Sequence, residues 1–284
     1  MMELSNIQRI YFIGIGGIGM SAIARYFHSK GKHVSGYDKT PTKLTETLQQ
    51  EGINIVYHDD ESGIDKAADV VVYTPAIPAN HLGLNWYQQN QFTVLKRSDV
   101  LQLITQDAFS ICIAGTHGKT SITTLVAHIL THSGYGCNAF LGGIAANYNS
   151  NYWSHERKVC VVEADEYDRS FLKLSPDIAV ISAMDPDHLD IYGTPEAVDQ
   201  AFADFSRRLK PGGTLIHKQG LAKASLLQAP HIQTYDRDNE NADSYAYAIQ
   251  LQQGGYRFNV KLKDTVLEEV VLPMGGLHNV ENIT

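Results

Sequence analysis

Along the first hundred residues, apolar and polar positions follow a strand-then-helix rhythm. Residues 8–14 form an apolar run that ends on glycine, which predicts a buried strand. Residues 19–30 carry apolar side chains at helical spacing and stop at Gly31. The signals then recur, with strands predicted at 33–37, 54–57, 69–73 and 92–95. Helices are predicted at 42–51 (closed by Gly52), 80–89 and 98–105. Short apolar strands separated by helices of this length predict a parallel sheet covered on both faces.

A second unit opens near residue 110. Its strand at 110–114 feeds a glycine turn and a helix at 119–132. Strands follow at 158–162 and 177–182, then an amphipathic helix at 195–209 stopped by Pro211-Gly-Gly213. After residue 242 the period changes to two. Tyr245, Tyr247 and Ile249 alternate with polar or small residues, Gly254-Gly255 suits a tight turn, and Tyr256, Phe258, Val260 and Leu262 resume the alternation. This pattern predicts an antiparallel β ribbon joined to the second unit.

The 284 residues give room for two domains, and 43% hydrophobic with 19% charged residues is an ordinary globular composition. No apolar run approaches the length of a membrane span, so no membrane partner is indicated. A net charge of −8 argues against a nucleic-acid surface but leaves room for small anions held by local loops. Cys112, Cys137 and Cys160 are far apart and mostly within apolar runs. They read as buried thiols of a reducing cytoplasm, not as bridges or metal ligands.

Two glycine loops carry the chemistry. The first, Gly14-Ile-Gly16-Gly17-Ile18-Gly19-Met20, fits G-x-G-x-x-G between a strand and a helix, and Asp38 closes the next strand at the distance of a ribose-binding acid. By itself it shows that a diphosphate fits, with NAD the first guess. The second, Gly115-Thr116-His117-Gly118-Lys119-Thr120-Ser121, is shorter than G-x-x-x-x-G-K-[ST]. It has the parts of an ATP site: backbone N–H groups for phosphate, Lys119 for the β/γ-phosphates, and the Thr120 hydroxyl for Mg²⁺. The fold class is therefore α/β: a Rossmann-like parallel-sheet domain at 1–106, then a P-loop-type α/β domain at 107–284 with its antiparallel ribbon.

Two acidic segments follow strands of the second unit. In Glu163-Ala-Asp-Glu-Tyr-Asp168, Glu163 is the first residue off its strand and the favoured oxygen ligand for a nucleotide-bound Mg²⁺. In Asp185-Pro-Asp-His-Leu-Asp190, His188 with its flanking acids suits a second metal or a phosphate. On spacing alone, Gly275-Gly-Leu-His278-Asn279-Val-Glu-Asn282 is a helix start with polar caps.

Taken together these motifs resemble the Mur ligases, the ATP-dependent amide-forming ligases of peptidoglycan synthesis. The residues that carry the resemblance are Tyr11 to Ala24, Val34 to Asp38, Gly115 to Thr120, Val162 to Glu166, Pro186 to Asp190 and His278 to Asn282. The branch most resembled joins L-alanine to UDP-N-acetylmuramate. The resemblance implies that the first loop (Gly14, Gly16, Gly17, Ile18, Gly19, Met20, with Asp38 and Thr74) binds the UDP part of that substrate. It further implies that Lys119, Glu163 and His188 are catalytic, and that Thr120, Glu163 and His188 hold two Mg²⁺ ions. His278, Asn279 and Asn282 would contact adenine. No Lys lies between His188 and Lys210 to serve as a carbamylated metal bridge. The sequence departs from the family pattern at Thr74-Pro75, Tyr167 and Ala183. The family's third domain is not represented, which implies a chain that binds nucleotides and turns over poorly alone. Three other readings stand beside this one: a ligase that recycles a tripeptide onto the same UDP sugar, an NAD-dependent oxidoreductase, and a non-catalytic UDP-sugar-binding fragment.

Overall fold

A computed structural model describes residues 3–284. By contacts the chain divides into two compact units. One comprises the described residues up to Ala108 together with Gly136–Cys160; the other comprises Phe109–Tyr135 and Val161–Thr284. The sequence reading places a single division at 106/107.

In chain order the first unit contains β1 (Arg9–Ile13), α1 (Ile18–Ser29), β2 (His33–Tyr37), α2 (Lys43–Gln50), β3 (Asn54–Val56), β4 (Val70–Tyr73), α3 (Leu82–Gln89), β5 (Val94–Lys96) and α4 (Arg97–Asp107). The strands are all parallel, in the order β3-β2-β1-β4-β5. The order reverses at β1, so the loop leaving β1 opens at the point where doubly wound sheets bind ligands. Ile10, Phe12, Ile13 and Val70 to Val72 are buried because both faces of the sheet are covered. Thr42 and Thr45 form a capping box that starts α2.

β6 (Phe109–Ala114) and α5 (Lys119–His132) belong to the second unit, whereas β7 (Asn138–Ala145) and β8 (Ser150–Trp153) group with the first. Then come β9 (Val159–Glu163), β10 (Ile178–Ile181), α6 (Leu189–Tyr192), α7 (Pro195–Ser206), β11 (Thr214–Lys218), β12 (His231–Asp236), β13 (Ser244–Gln252), β14 (Gly255–Leu262), β15 (Thr265–Leu272) and α8 (Leu277–Ile283). The second sheet runs β15-β14-β13-β12-β11-β10-β6-β9-β7-β8. Its β6, β10, β11, β12 and β13 pair in parallel, while β13-β14-β15 is antiparallel. This is the α/β fold with an attached ribbon that the periodicity predicts.

Two local readings change. The ribbon turn is Gln253-Gly254, not Gly254-Gly255, because Gln252 pairs with Gly255. Gly254 takes the positive φ of +84°, and a Cβ at Gly255 would collide with the Leu272 carbonyl. Five strands were not predicted: β7, β8, β11, β12 and β15. The Gly142-Gly143 pair inside β7 and the largely exposed β12 and β15 lack the apolar alternation that marks a half-buried strand. The three cysteines are buried and none forms a disulfide among the described residues, as their apolar settings imply. Among the described residues no helix is long and apolar enough to cross a membrane.

In the second unit, Phe171 anchors the chain that follows the acidic loop after β9. It stacks on Phe205 at 5.0 Å, meets Phe202 edge-on at 5.6 Å, and is 1% exposed. Phe171→Ala is expected to destabilise this unit by about 3–5 kcal/mol in urea unfolding, the cost of a large buried cavity. A loss below about 1 kcal/mol would show that the site can collapse and that Phe171 is no anchor.

Candidate functional site

Three loops of the second unit leave strands that are neighbours in its sheet, β9, β6 and β10. The glycine loop between β6 and α5 lies along the segment after β10. Thr116 N–H donates to the Ala183 carbonyl at 3.2 Å, Asp185 N–H donates to Thr116 Oγ1 at 3.2 Å, and Ser182 Oγ donates to the His117 carbonyl. This contact requires glycine at 115, where φ is +132° and a Cβ would collide with Ser182 Oγ and stand 2.8 Å from Ala183 N. Gly118, at φ +82°, opens α5.

The start of α5 has no side-chain cap and no acidic residue in its first turn. The bond from Ile122 N–H to the Gly118 carbonyl is made. The N–H groups of Lys119, Thr120 and Ser121 therefore belong to the open end of the helix, where the dipole favours an anion.

Lys119 Nζ donates to Glu166 Oε1 at 2.9 Å and to the Gly115 carbonyl at 3.0 Å, and lies 2.8 Å from Glu166 Oε2. Glu166 is 1% exposed and Lys119 15%, so the pair is held away from bulk water. The Tyr192 hydroxyl donates to the Glu166 carbonyl at 2.6 Å. Burial pushes the Tyr192 phenol up to about 12, partly offset by the Arg169 guanidinium over its ring, so the hydroxyl stays a donor at neutral pH. Glu166 was missed as a site residue. Its signal was its place three residues after Glu163 in the acidic segment, but position alone does not say which carboxylate turns inward.

Thr120 Oγ1 donates to Glu163 Oε1 at 3.0 Å, so the two oxygen donors expected at a nucleotide-bound metal are side by side. His188 borders the carboxylate that holds Lys119. Its Nε2 lies 3.9 Å from Glu166 Oε1 and 3.8 Å from Asp187 Oδ2, and its ring meets Tyr167 edge-on at 5.0 Å. Its backbone is left-handed, φ +53°, at the start of α6. Among the described residues no three His, Cys, Asp or Glu side chains gather as a metal cage. A hydroxyl and a carboxylate fit Mg²⁺, which takes few protein ligands and completes its octahedron with phosphate oxygens and water.

His117 faces solvent, 3.6 Å from Asp185. Asn279 is buried and donates to the Gly275 carbonyl at 2.7 Å, whereas His278 is exposed. Asn282 stands against the loop, its Oδ1 3.0 Å from the point a Cβ on Gly118 would occupy. A cavity of about 280 Å³ beside the loop is lined by Ser182, Met184, Asp185, Lys218 and Lys223 among others. His278, Asn279 and Asn282 do not line it.

In the first unit, the loop leaving β1 uses several of its own donors. The N–H groups of Gly14 and Ile15 donate to the Tyr37 carbonyl, that of Gly16 to Asp38 Oδ2 at 2.7 Å, and that of Gly17 to the Gly14 carbonyl. Asp38 thus shapes the loop directly. Ser21 N–H closes the turn onto Gly17, leaving the N–H groups of Ile18, Gly19 and Met20 at the uncapped start of α1. A Cβ at Gly19 would lie 2.9 Å from Arg97 Nη1, so α4 brings a guanidinium to this helix end. Arg97 was also missed, since nothing in the sequence links it to a loop some eighty residues earlier. Thr74 Cγ2 lies 2.9 Å from the point a Cβ on Gly14 would occupy.

Residues 9–108 match the model of the Mur ligase family, catalytic domain, and residues 113–284 that of the Mur ligase middle domain. A UDP-N-acetylmuramate–L-alanine ligase of Porphyromonas gingivalis is 46% identical over 283 residues, covering 97% of this chain and 62% of that protein. One from Phocaeicola vulgatus is 44% identical over 286 residues, covering 99% and 60%. The chain therefore spans about 60% of the length of the curated relatives it matches. The crystal structure of the UDP-N-acetylmuramate-alanine ligase of Thermotoga maritima superposes with a TM-score of 0.79 at 28% identity, over 96% of this chain and 62% of that one. With both family models matched in order and both glycine loops in place, the chain belongs to the Mur ligase family.

Proposed function

We propose that this chain is the nucleotide-binding part of a cytoplasmic ATP-dependent ligase that joins L-alanine to the lactyl carboxylate of UDP-N-acetylmuramate in peptidoglycan synthesis. The observation that carries the proposal is the Lys119 ammonium held on Glu166 at the open end of α5, beside the Thr120–Glu163 pair. The relatives named above support the choice of substrates.

In the first step a lactyl carboxylate oxygen attacks the γ-phosphorus of ATP. The new O–P bond forms as the bond to the bridging oxygen breaks, and ADP leaves. In the second step the alanine nitrogen attacks the acyl carbon, phosphate leaves, and the nitrogen loses a proton. Both steps concentrate negative charge, so positioning and fixed cations supply most of the rate. Lys119 neutralises charge on the transferring phosphoryl group, and the open N–H groups of α5 cradle the phosphates. Thr120 and Glu163 would hold a Mg²⁺ that screens the β- and γ-phosphate oxygens, and His188 is proposed to serve a second ion. Asn279 and Asn282 are proposed to border the adenine, with His278 at the exposed rim. Ile18, Gly19 and Met20, with Arg97, bind the UDP diphosphate.

The tripeptide-recycling reading rests on Tyr167, which is exposed and packs on His188. The comparison that separates the two readings is phosphate release from ATP with UDP-N-acetylmuramate and either L-alanine or the tripeptide. Stimulation by L-alanine is expected; stimulation by the tripeptide alone would contradict the proposal.

Lys119→Ala is expected to weaken MgATP binding about ten- to a hundredfold in calorimetry, the loss of charge-assisted bonds to phosphate, with UDP affinity unchanged. An ATP affinity within twofold of the parent would remove Lys119 from the site.

A further inference from the structure

A buried polar cluster in the first unit takes no part in the chemistry above. Asn151, on β8, is 0% exposed. Its Nδ2 donates to the Ile18 carbonyl at 2.6 Å and to Ser21 Oγ at 2.9 Å. Its Oδ1 accepts from Arg25 Nη1. Arg25, itself 7% exposed, is gripped by Glu51, with Nε 2.8 Å from Oε2 and Nη2 2.8 Å from Oε1. Both polar atoms of the Asn151 side chain are thus engaged, and its three partners, Ile18, Ser21 and Arg25, all lie on α1.

The Ile18 carbonyl and the Gly19 N–H belong to one planar peptide unit. Whatever fixes that carbonyl also fixes the direction of the Gly19 N–H, one of the three donors left open at the start of α1. The Ile18 carbonyl also accepts from Ser21 Oγ at 2.9 Å, the same hydroxyl that accepts from Asn151, so the amide restrains this peptide both directly and through the serine. Hydrogen bonds in such a chain polarise one another, and a carbonyl that accepts strongly makes the amide hydrogen across its peptide a better donor.

We infer that Asn151 is a positioning residue for the nucleotide-diphosphate end of the substrate. The chain Glu51–Arg25–Asn151–Ile18 aims and polarises the Gly19 N–H, although Asn151 itself touches no ligand. The inference rests on the reading of the first loop as the UDP-sugar site. It gives a role to the β7–β8 segment, which lies in sequence between the helix of the ATP loop and the strand that ends at Glu163.

Two variants of this chain test it, with UDP as the probe and ATP as the internal control, both by calorimetry. Asn151→Leu removes the amide. Asn151→Asp keeps an acceptor for Arg25, and so keeps that buried charge paired, but sets a carboxylate against the Ile18 carbonyl. In each, UDP binding should weaken about tenfold, the loss of one buried hydrogen bond to the loop, while ATP affinity stays within twofold. In ¹⁵N-glycine spectra of the ligand-free protein, the Gly19 amide should move upfield in Asn151→Asp as its hydrogen bonding and polarisation are lost. A purely structural Asn151 would lower thermal stability without this selective loss. Folded Asn151→Asp that binds UDP within twofold of the parent, with the Gly19 amide unmoved, overturns the inference. If Asn151→Leu fails to fold, Asn151→Asp decides the matter alone. If the parent chain binds ATP but not UDP, the reading of the first loop falls, and this inference with it.

Discussion

The Lys119 ammonium, held between a buried carboxylate and a backbone carbonyl, is the constraint around which the second unit is arranged. An ion pair this far from water survives only when both partners are present, and removing one typically costs about 3–5 kcal/mol. The surroundings meet that demand. The Tyr192 hydroxyl fixes the Glu166 carbonyl, Phe171 anchors the chain that follows the acidic loop, and Gly115 lets the glycine loop lie against Ser182. The cation is thereby set at the end of α5, near the helix N–H groups that an incoming triphosphate would meet, so little reorganisation remains when negative charge arrives.

What the sequence made legible was local. The alternation of apolar runs and helical spacing gave the parallel first sheet, the glycine loop on β6 and the ribbon, because each of these signals is contained within a few turns of chain. The Gly115-to-Ser121 loop was readable for the same reason: its chemistry depends on consecutive residues. The ribbon turn was misplaced by one residue because glycine serves two ends there, a positive φ at Gly254 and a close approach to Leu272 at Gly255.

What the sequence did not show was set by distance along the chain or by side-chain direction. Glu163 and Glu166 are equally acidic. Only the path after β9 turns the first toward Thr120 and the second toward Lys119. Arg97 meets Gly19, and Asn151 meets Ile18, across separations that no periodicity encodes. Strands β12 and β15 are polar or exposed and pair because neighbouring strands offer partners, not because their own patterns demand it.

Two glycine loops in one chain share one feature, a helix start without a side-chain cap, with different neighbours. The first has Arg97 and a loop shaped by Asp38; the second has Lys119 and the Thr120–Glu163 pair. A dinucleotide reading would explain only the first and leave the second idle. The most direct measurement is calorimetric titration of this chain with UDP-N-acetylmuramate, with NAD as the control. Saturable binding of the UDP sugar and none of NAD is the result expected of a Mur ligase substrate site. Binding of NAD without the UDP sugar would contradict it.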